Sequence, residues 1–236
     1  PEIIGSTREG SSKHEKLHGL YDPSVVYPLF ANGLRRKDGT TIGEHMQEIG
    51  TLFSQFSKVA SDNDYAWFPL HRSAKDISEI KPENRIVGFP YTKYMNSIMR
   101  VNQSSALIMT SAKKARELKI PESKWIFLNG GACLNEIWNV TERVDYHSSP
   151  AIKKCIESVL NIANINSDEL DFFDIYSCFP CAVQIAIREI GLKPNDPRGL
   201  TLTGGLPYFG GPGNTYVLNA ISSLMEKLRK NPGKKV

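Results

Sequence analysis

From residue 125 onward, short apolar runs alternate three times with longer stretches of helical period, an order that restricts this part of the chain to an α/β layered fold. Trp125–Leu128 reads as a short buried strand. Ser149 and Pro150 supply a cap and a first-turn proline for a helix whose stripe is Ile152, Cys155, Ile156, Val159 and Ala163. Phe172–Tyr176 is the next expected strand. The helix after it starts near Pro180, turns Val183, Ile185, Ala186 and Ile190 inward, and ends at Gly191, where a left-handed cap is favoured. A third strand, Leu200–Thr203, leads through a glycine-rich turn into a final helix with Val217, Ala220, Ile221, Leu224 and Leu228 on one face. The pattern is β-α-β-α-β-α.

The first half is less regular. Residues 1 to about 40 mix glycine, serine, proline and aromatics without a sustained period, as a loop-rich cover would. Thr41 and Glu44 then have capping-box spacing, and Ile42, Met46, Ile49, Phe53, Phe56 and Ala60 recur at helical steps. Residues 61–97 are irregular again, and Val101–Thr110 reads as a strand running into a short helix over Ser111–Leu118. The expected division is a cover region with the end of one half-fold over residues 1–119, and a second half-fold over 120–236. The opening Pro1 and the closing turn Asn231–Val236 are read as internal to a longer product, with the fold cut at both ends.

Composition excludes several classes. At 236 residues, with 40% hydrophobic and 23% charged side chains, the chain can bury an ordinary core. No apolar run nears the roughly 18 residues that span a bilayer. Much of the +4 charge lies in Lys227, Arg229, Lys230, Lys234 and Lys235, a short solvated end rather than a nucleic-acid surface. Four spread cysteines do not make a disulfide scaffold and fit a reducing, cytoplasmic compartment.

Two segments carry candidate chemistry. Between Gly204 and Asn214 five of eleven residues are glycine, between a strand and a helix start, so backbone N–H groups can approach a ligand where the helix dipole favours negative charge. Neither dinucleotide nor phosphate-loop spacing is present, and a tight structural turn is the competing reading. In Tyr176-Ser177-Cys178-Phe179-Pro180-Cys181, Cys178 stands where a helix start would stabilise a thiolate, and the Cys-x-x-Cys spacing allows a redox pair. Two thiols packed in a core is the plainer alternative. A zinc site lacks its second pair, and no metal is implied. His14, His18, His45, His71 and His147 share no ligand spacing; His45 is expected on the exposed side of its helix.

Taken in order, these segments resemble the thiolase superfamily. Asn102–Ser111 with Lys113–Leu118 is similar to the last strand and short helix of the thiolase N-terminal half, and Asp171–Phe179 to the strand leading into that family's Asn-Glu-Ala-Phe or His-Asp-Cys-Phe motif. Gly204–Asn214 resembles the loop that ends in Gly-His-Pro. Ser177–Pro180 and Gly210–Asn214 share the wording of the thiolase-like protein type 1 group, often labelled acetyl-CoA acetyltransferase. The resemblance covers roughly residues 85–230, and residues 1 to about 85 would answer to the loops that cover the coenzyme A site.

That resemblance implies acyl transfer to or from coenzyme A, with the thioester as substrate and no separate cofactor. It also implies an incomplete site. The segments that carry the nucleophilic cysteine and the second, acid/base cysteine are not in this chain. Tyr176 stands where the family has asparagine or histidine, and Gly211 where it has the loop histidine. Cys178 matches the motif cysteine, which is not the nucleophile. The expected site is therefore Tyr176 and Cys178 as catalytic candidates, with Gly210, Gly211, Gly213 and Asn214 binding substrate. The alternatives are a non-catalytic acyl-CoA or lipid-binding module, or a subunit needing a partner that carries the cysteine; a homo-oligomer is equally open.

Overall fold

The computed structural model describes residues 9–236; the first eight residues of the expected cover segment lie outside that range. Ten elements follow in order: α1 (Lys13–Leu17), α2 (Pro23–Asp38), α3 (Ile42–Ser61), α4 (Ala74–Ser78), β1 (Ile86–Gly88), β2 (Tyr91–Thr92), α5 (Ala112–Glu117), α6 (Pro150–Ala163), α7 (Pro180–Ile190) and α8 (Thr215–Lys230), with single 3₁₀ turns between some of them.

Local sequence explains most helix ends. Thr41 caps α3 and Glu44 returns a bond to the cap backbone, so both orphan donors are satisfied. Met46, Ile49, Phe53, Phe56 and Ala60 are buried along that helix as the stripe requires. Ser149 caps α6 through the Ile152 N–H, and α7 ends on Gly191 in the left-handed conformation. The segment expected to be cover loop instead contains α2. Asp22 caps it, Pro23 occupies its first turn, and Gly39 closes it left-handed. Pro28 and Gly33 break its sequence period, yet both serve packing: Pro28 is buried, and a Cβ on Gly33 would lie 2.7 Å from the Tyr146 Cβ.

One hydrophobic core joins α2 and α3 to α7, with Tyr91, Met95, Phe173, Ile175, Leu200 and Tyr208 filling between them. Tyr27 stacks on Phe179 at 4.3 Å between ring centroids, tying α2 to the start of α7. His45, expected on an exposed face, is 1% exposed. It lies on the side of α3 turned toward α2 and α7, where Arg35, Asp38 and Arg188 surround it, and burial lowers its pKa.

Among the described residues the single ladder is the antiparallel pair β1–β2. The four expected strands run without ladders. Phe172–Tyr176 and Leu200–Thr203 lie side by side and share one backbone bond, Ile175 N–H to the Leu200 carbonyl at 3.0 Å, because the Asp174 carboxylate takes the N–H groups of Leu202 and Thr203. The chain end runs beside the same segment: the Lys235 carbonyl accepts from Asp171 and Phe172. Lys234 pairs with Asp171 and Lys235 with Glu169, which holds the last residues against the 169–172 segment. Trp125–Leu128, expected to be buried, leaves Phe127 and Leu128 exposed. The final helix buries Tyr216, Asn219 and Ala220, while Val217 and Ile221 of the expected stripe stay exposed among the described residues.

Candidate functional site

The glycine-rich segment forms a platform whose shape is set by buried polar groups. Asp174 is its anchor. One carboxylate oxygen accepts from the Thr201 and Thr203 hydroxyls and the Leu202 and Thr203 N–H groups; the other accepts from the Tyr216 hydroxyl at 2.8 Å. The threonine oxygens accept in turn from the N–H groups of Gly204 and Gly205, and Ser177 Oγ accepts from Leu206. The loop backbone is thus fixed by side chains from the segment before it, as a buried chain without a ladder requires.

Two straps hold the loop from outside. Trp67 and Phe68 donate their N–H groups to the Phe209 and Tyr208 carbonyls at 3.0 Å. Ser97 donates to Cys178, Ile98 to Leu206, and Gly211 donates to Ile98 at 2.9 Å. The fit demands glycine where the backbone is left-handed and crowded. Gly205 has φ +79 and would place a Cβ 2.6 Å from Ser177 Oγ; Gly210 has φ +120 and would meet Gln103 Oε1 at 2.9 Å.

The expected site residues divide by exposure. Gly210 and Gly211 are buried under the 97–103 strap, and the Gly211 N–H is engaged by Ile98. Gly213 and Asn214 are exposed at the start of α8. Asn214 makes no side-chain cap bond, so its amide is free to meet a ligand. Tyr176 is 43% exposed and stands edge-on against Tyr216 at 5.7 Å. Burial, then the neighbouring Cys178, raises the Tyr176 pKa, so the phenol is a hydrogen-bond donor at neutral pH. Tyr176, the platform and the α8 start are linked through Tyr216.

The cysteines do not behave as the helix position suggests. Burial pushes the Cys178 thiol up despite a bond from Tyr27 and the α7 start, and pushes Cys181 up to about 12. Cys181 is 1% exposed, with its sulfur directed at the Tyr27 carbonyl. Both are thiols at neutral pH, since desolvation outweighs the helix end. All four cysteines are free. Asp174, Ser177, Tyr216 and Gln103 were not singled out by sequence reasoning; the available signal was an aspartate inside an apolar run facing alternate threonines at 201 and 203.

With that geometry in hand, likeness to known proteins is informative. No family model matches the chain. A solved structure of a monomeric SCP2-thiolase-like protein type 1 from Mycobacterium smegmatis superposes with TM-score 0.90 at 38% identity, over 96% of this chain. The chain has a thiolase-like fold. It spans 50% of that neighbour's length. The acetyl-CoA acetyltransferase of Methanocaldococcus jannaschii is 23% identical over 202 residues, 84% of this chain and 49% of that protein. The Ltp2–ChsH2(DUF35) aldolase shares the fold at TM-score 0.68 and 16% identity, over 94% of this chain and 60% of its own. This thiolase-like chain therefore covers about half of the proteins it matches, and its α/β fold, rich in helix with one small sheet, is the one expected. No helix among the described residues is long and apolar enough to cross a membrane.

Proposed function

We propose that this chain is the half of an acyl-CoA-dependent thiolase-like protein that holds the thioester, and that acyl transfer to or from coenzyme A requires a nucleophilic cysteine from the complementary half. The observation that carries the reading is the state of the cysteines beside the platform: Cys178 and Cys181 are both held as thiols, so neither is an activated nucleophile, in a chain with the fold of an SCP2-thiolase-like protein and half its length. Tyr176 would donate a hydrogen bond to the thioester carbonyl, and Asn214 with the exposed start of α8 would meet the acyl or pantetheine part. Losing one such carbonyl donor typically costs about 100-fold or more in rate. The neighbour named for an Ltp2–ChsH2(DUF35) pair supports a partner for this chain, and four free thiols support a reducing compartment such as the cytoplasm.

Release of free coenzyme A from acetyl-CoA and acetoacetyl-CoA tests this. The chain alone should release none; with the complementary half it should turn over, and Tyr176→Phe in that assembly should lower kcat. Turnover by the chain alone would refute the division of labour. Binding without turnover in the assembly would favour a second reading, a non-catalytic acyl-CoA-binding module, for which the exchange of the loop histidine for Gly211 already speaks.

A further inference from the structure

Three side chains that are only partly buried meet beside the start of α7: Tyr27 from α2, and Tyr176 and Cys178 from the segment leading into α7. The Tyr27 hydroxyl is hydrogen-bonded to the Cys178 thiol, and Tyr176 is close enough to act electrostatically on both. Aromatic neighbours lock the two phenol rings. Tyr27 lies flat on Phe179, which in turn stacks on Tyr91 at 6.0 Å, and Tyr176 stands edge-on to Tyr216. Backbone contacts fix the same point: Ser97 donates its N–H to the Cys178 carbonyl at 3.2 Å, and the Tyr27 carbonyl accepts from Cys181 Sγ at 3.6 Å. Behind the three, Tyr91, Cys181 and Tyr216 are at most 1% exposed, so the group is closed toward the core and open toward solvent.

Burial keeps both Tyr27 and Cys178 neutral, so the bonded pair carries two polar hydrogens. One lies between the phenolic oxygen and the sulfur, whichever way the bond runs; the other is left for a further acceptor. A thiol is a weak donor and a phenol a good one, so beside a carbonyl the favoured run is S–H to the Tyr27 oxygen and Tyr27 O–H to the carbonyl.

We propose that Tyr27 is a second hydrogen-bond donor to the thioester carbonyl, acting with Tyr176, and that Cys178 is a positioning residue that directs the Tyr27 hydroxyl. Two donors fill both lone pairs of one carbonyl oxygen, and their bonds strengthen as that oxygen gains negative charge. Free coenzyme A has no thioester carbonyl, so the pair of phenols distinguishes acyl-CoA from the free thiol. The inference rests on the acyl-CoA reading above and adds to it a residue of α2, a helix to which the sequence assigned no chemistry.

The test titrates the full chain with acetyl-CoA and with free coenzyme A by calorimetry, and reads the carbonyl stretch of bound acetyl-CoA, isotopically labelled at the thioester carbon, by infrared difference spectroscopy. Tyr27→Phe keeps the ring and its stack on Phe179. It should weaken acetyl-CoA binding by about 3- to 10-fold, as for loss of one neutral hydrogen bond, leave free coenzyme A within about twofold, and raise the carbonyl frequency. Tyr176→Phe should raise the frequency as well, and the double variant should raise it further than either. Cys178→Ala should give a smaller loss in the same direction, restored by Cys178→Ser, whose hydroxyl can donate to the Tyr27 oxygen. Acetyl-CoA affinity and a carbonyl band that Tyr27→Phe leaves unmoved overturn this proposal alone. An equal loss for both ligands with an unmoved band makes Tyr27 a structural residue and overturns it too. Absence of acetyl-CoA binding from the unaltered chain overturns both the proposal and the reading on which it rests.

Discussion

At the scale of single residues, the site depends on Asp174 more than on any glycine. Its carboxylate gathers the Tyr216 hydroxyl, two threonine hydroxyls and two backbone N–H groups, and those threonines hold the turn at Gly204 and Gly205. Asp174→Asn keeps the shape but sets an NH₂ among donors, so urea unfolding should show a loss on the order of 2 kcal/mol, and Tyr216 should lose its fixed position beneath Tyr176. His45 makes a second residue-scale test. It is buried with neither ring nitrogen hydrogen-bonded, and the groups around it are Arg35 and Asp38 on α2, Glu48 on its own helix at 3.9 Å from Nδ1, and Arg188 on α7. Its folded pKa is lowered by burial, so the folded state resists a proton that the unfolded chain accepts. The sign follows: its contribution is present above the ordinary value of 6.5 and is lost as pH falls below it. Melting temperature should drop from pH 7 toward pH 5.5, and His45→Leu should flatten that slope.

At the scale of elements, α2 is the informative one. Alanine is a better helix former than glycine by about 1 kcal/mol, yet Gly33→Ala should lower stability in thermal unfolding, because the new Cβ meets Tyr146 at 2.7 Å. The packing explains why α2 was illegible: Pro28 and Gly33 are poor helix signals that make sense only once Gly88, beside Pro28, and Tyr146, beside Gly33, are in place. Elements whose ends are written locally were legible. The Thr41–Glu44 box, the Ser149-Pro150 start and the Gly191 stop all fall where local chemistry puts them. The stripe of α8 was misplaced because its period does not say whether a partner layer exists, and His45 because α3 is buried on a broader arc than its apolar stripe. The expected strands were visible as apolar runs, but a ladder needs a neighbour, and among the described residues no backbone–backbone hydrogen bond reaches 102–110 or 126–137.

At the scale of the whole molecule, the glycine segment was recognisable from composition, while the reason for its rigidity was not. Asp174, Thr201, Thr203, Ser177 and Tyr216 are ordinary residues until the fold brings them together. The platform they build leaves Tyr176 and Asn214 outward, on the core that α2, α3 and α7 form. Ligand recognition should therefore be separable from acyl transfer. Thermal unfolding of the purified 236-residue chain with coenzyme A, acetyl-CoA and a long-chain acyl-CoA at millimolar concentration puts this to proof. A thioester at about 100 times its dissociation constant adds roughly 2.7 kcal/mol, worth about 5 to 10 °C for a domain of this size. An upward shift that Asn214→Ala and Tyr176→Phe reduce is the expected result; a cooperative transition at the same temperature with and without each ligand would contradict acyl-CoA recognition by this chain.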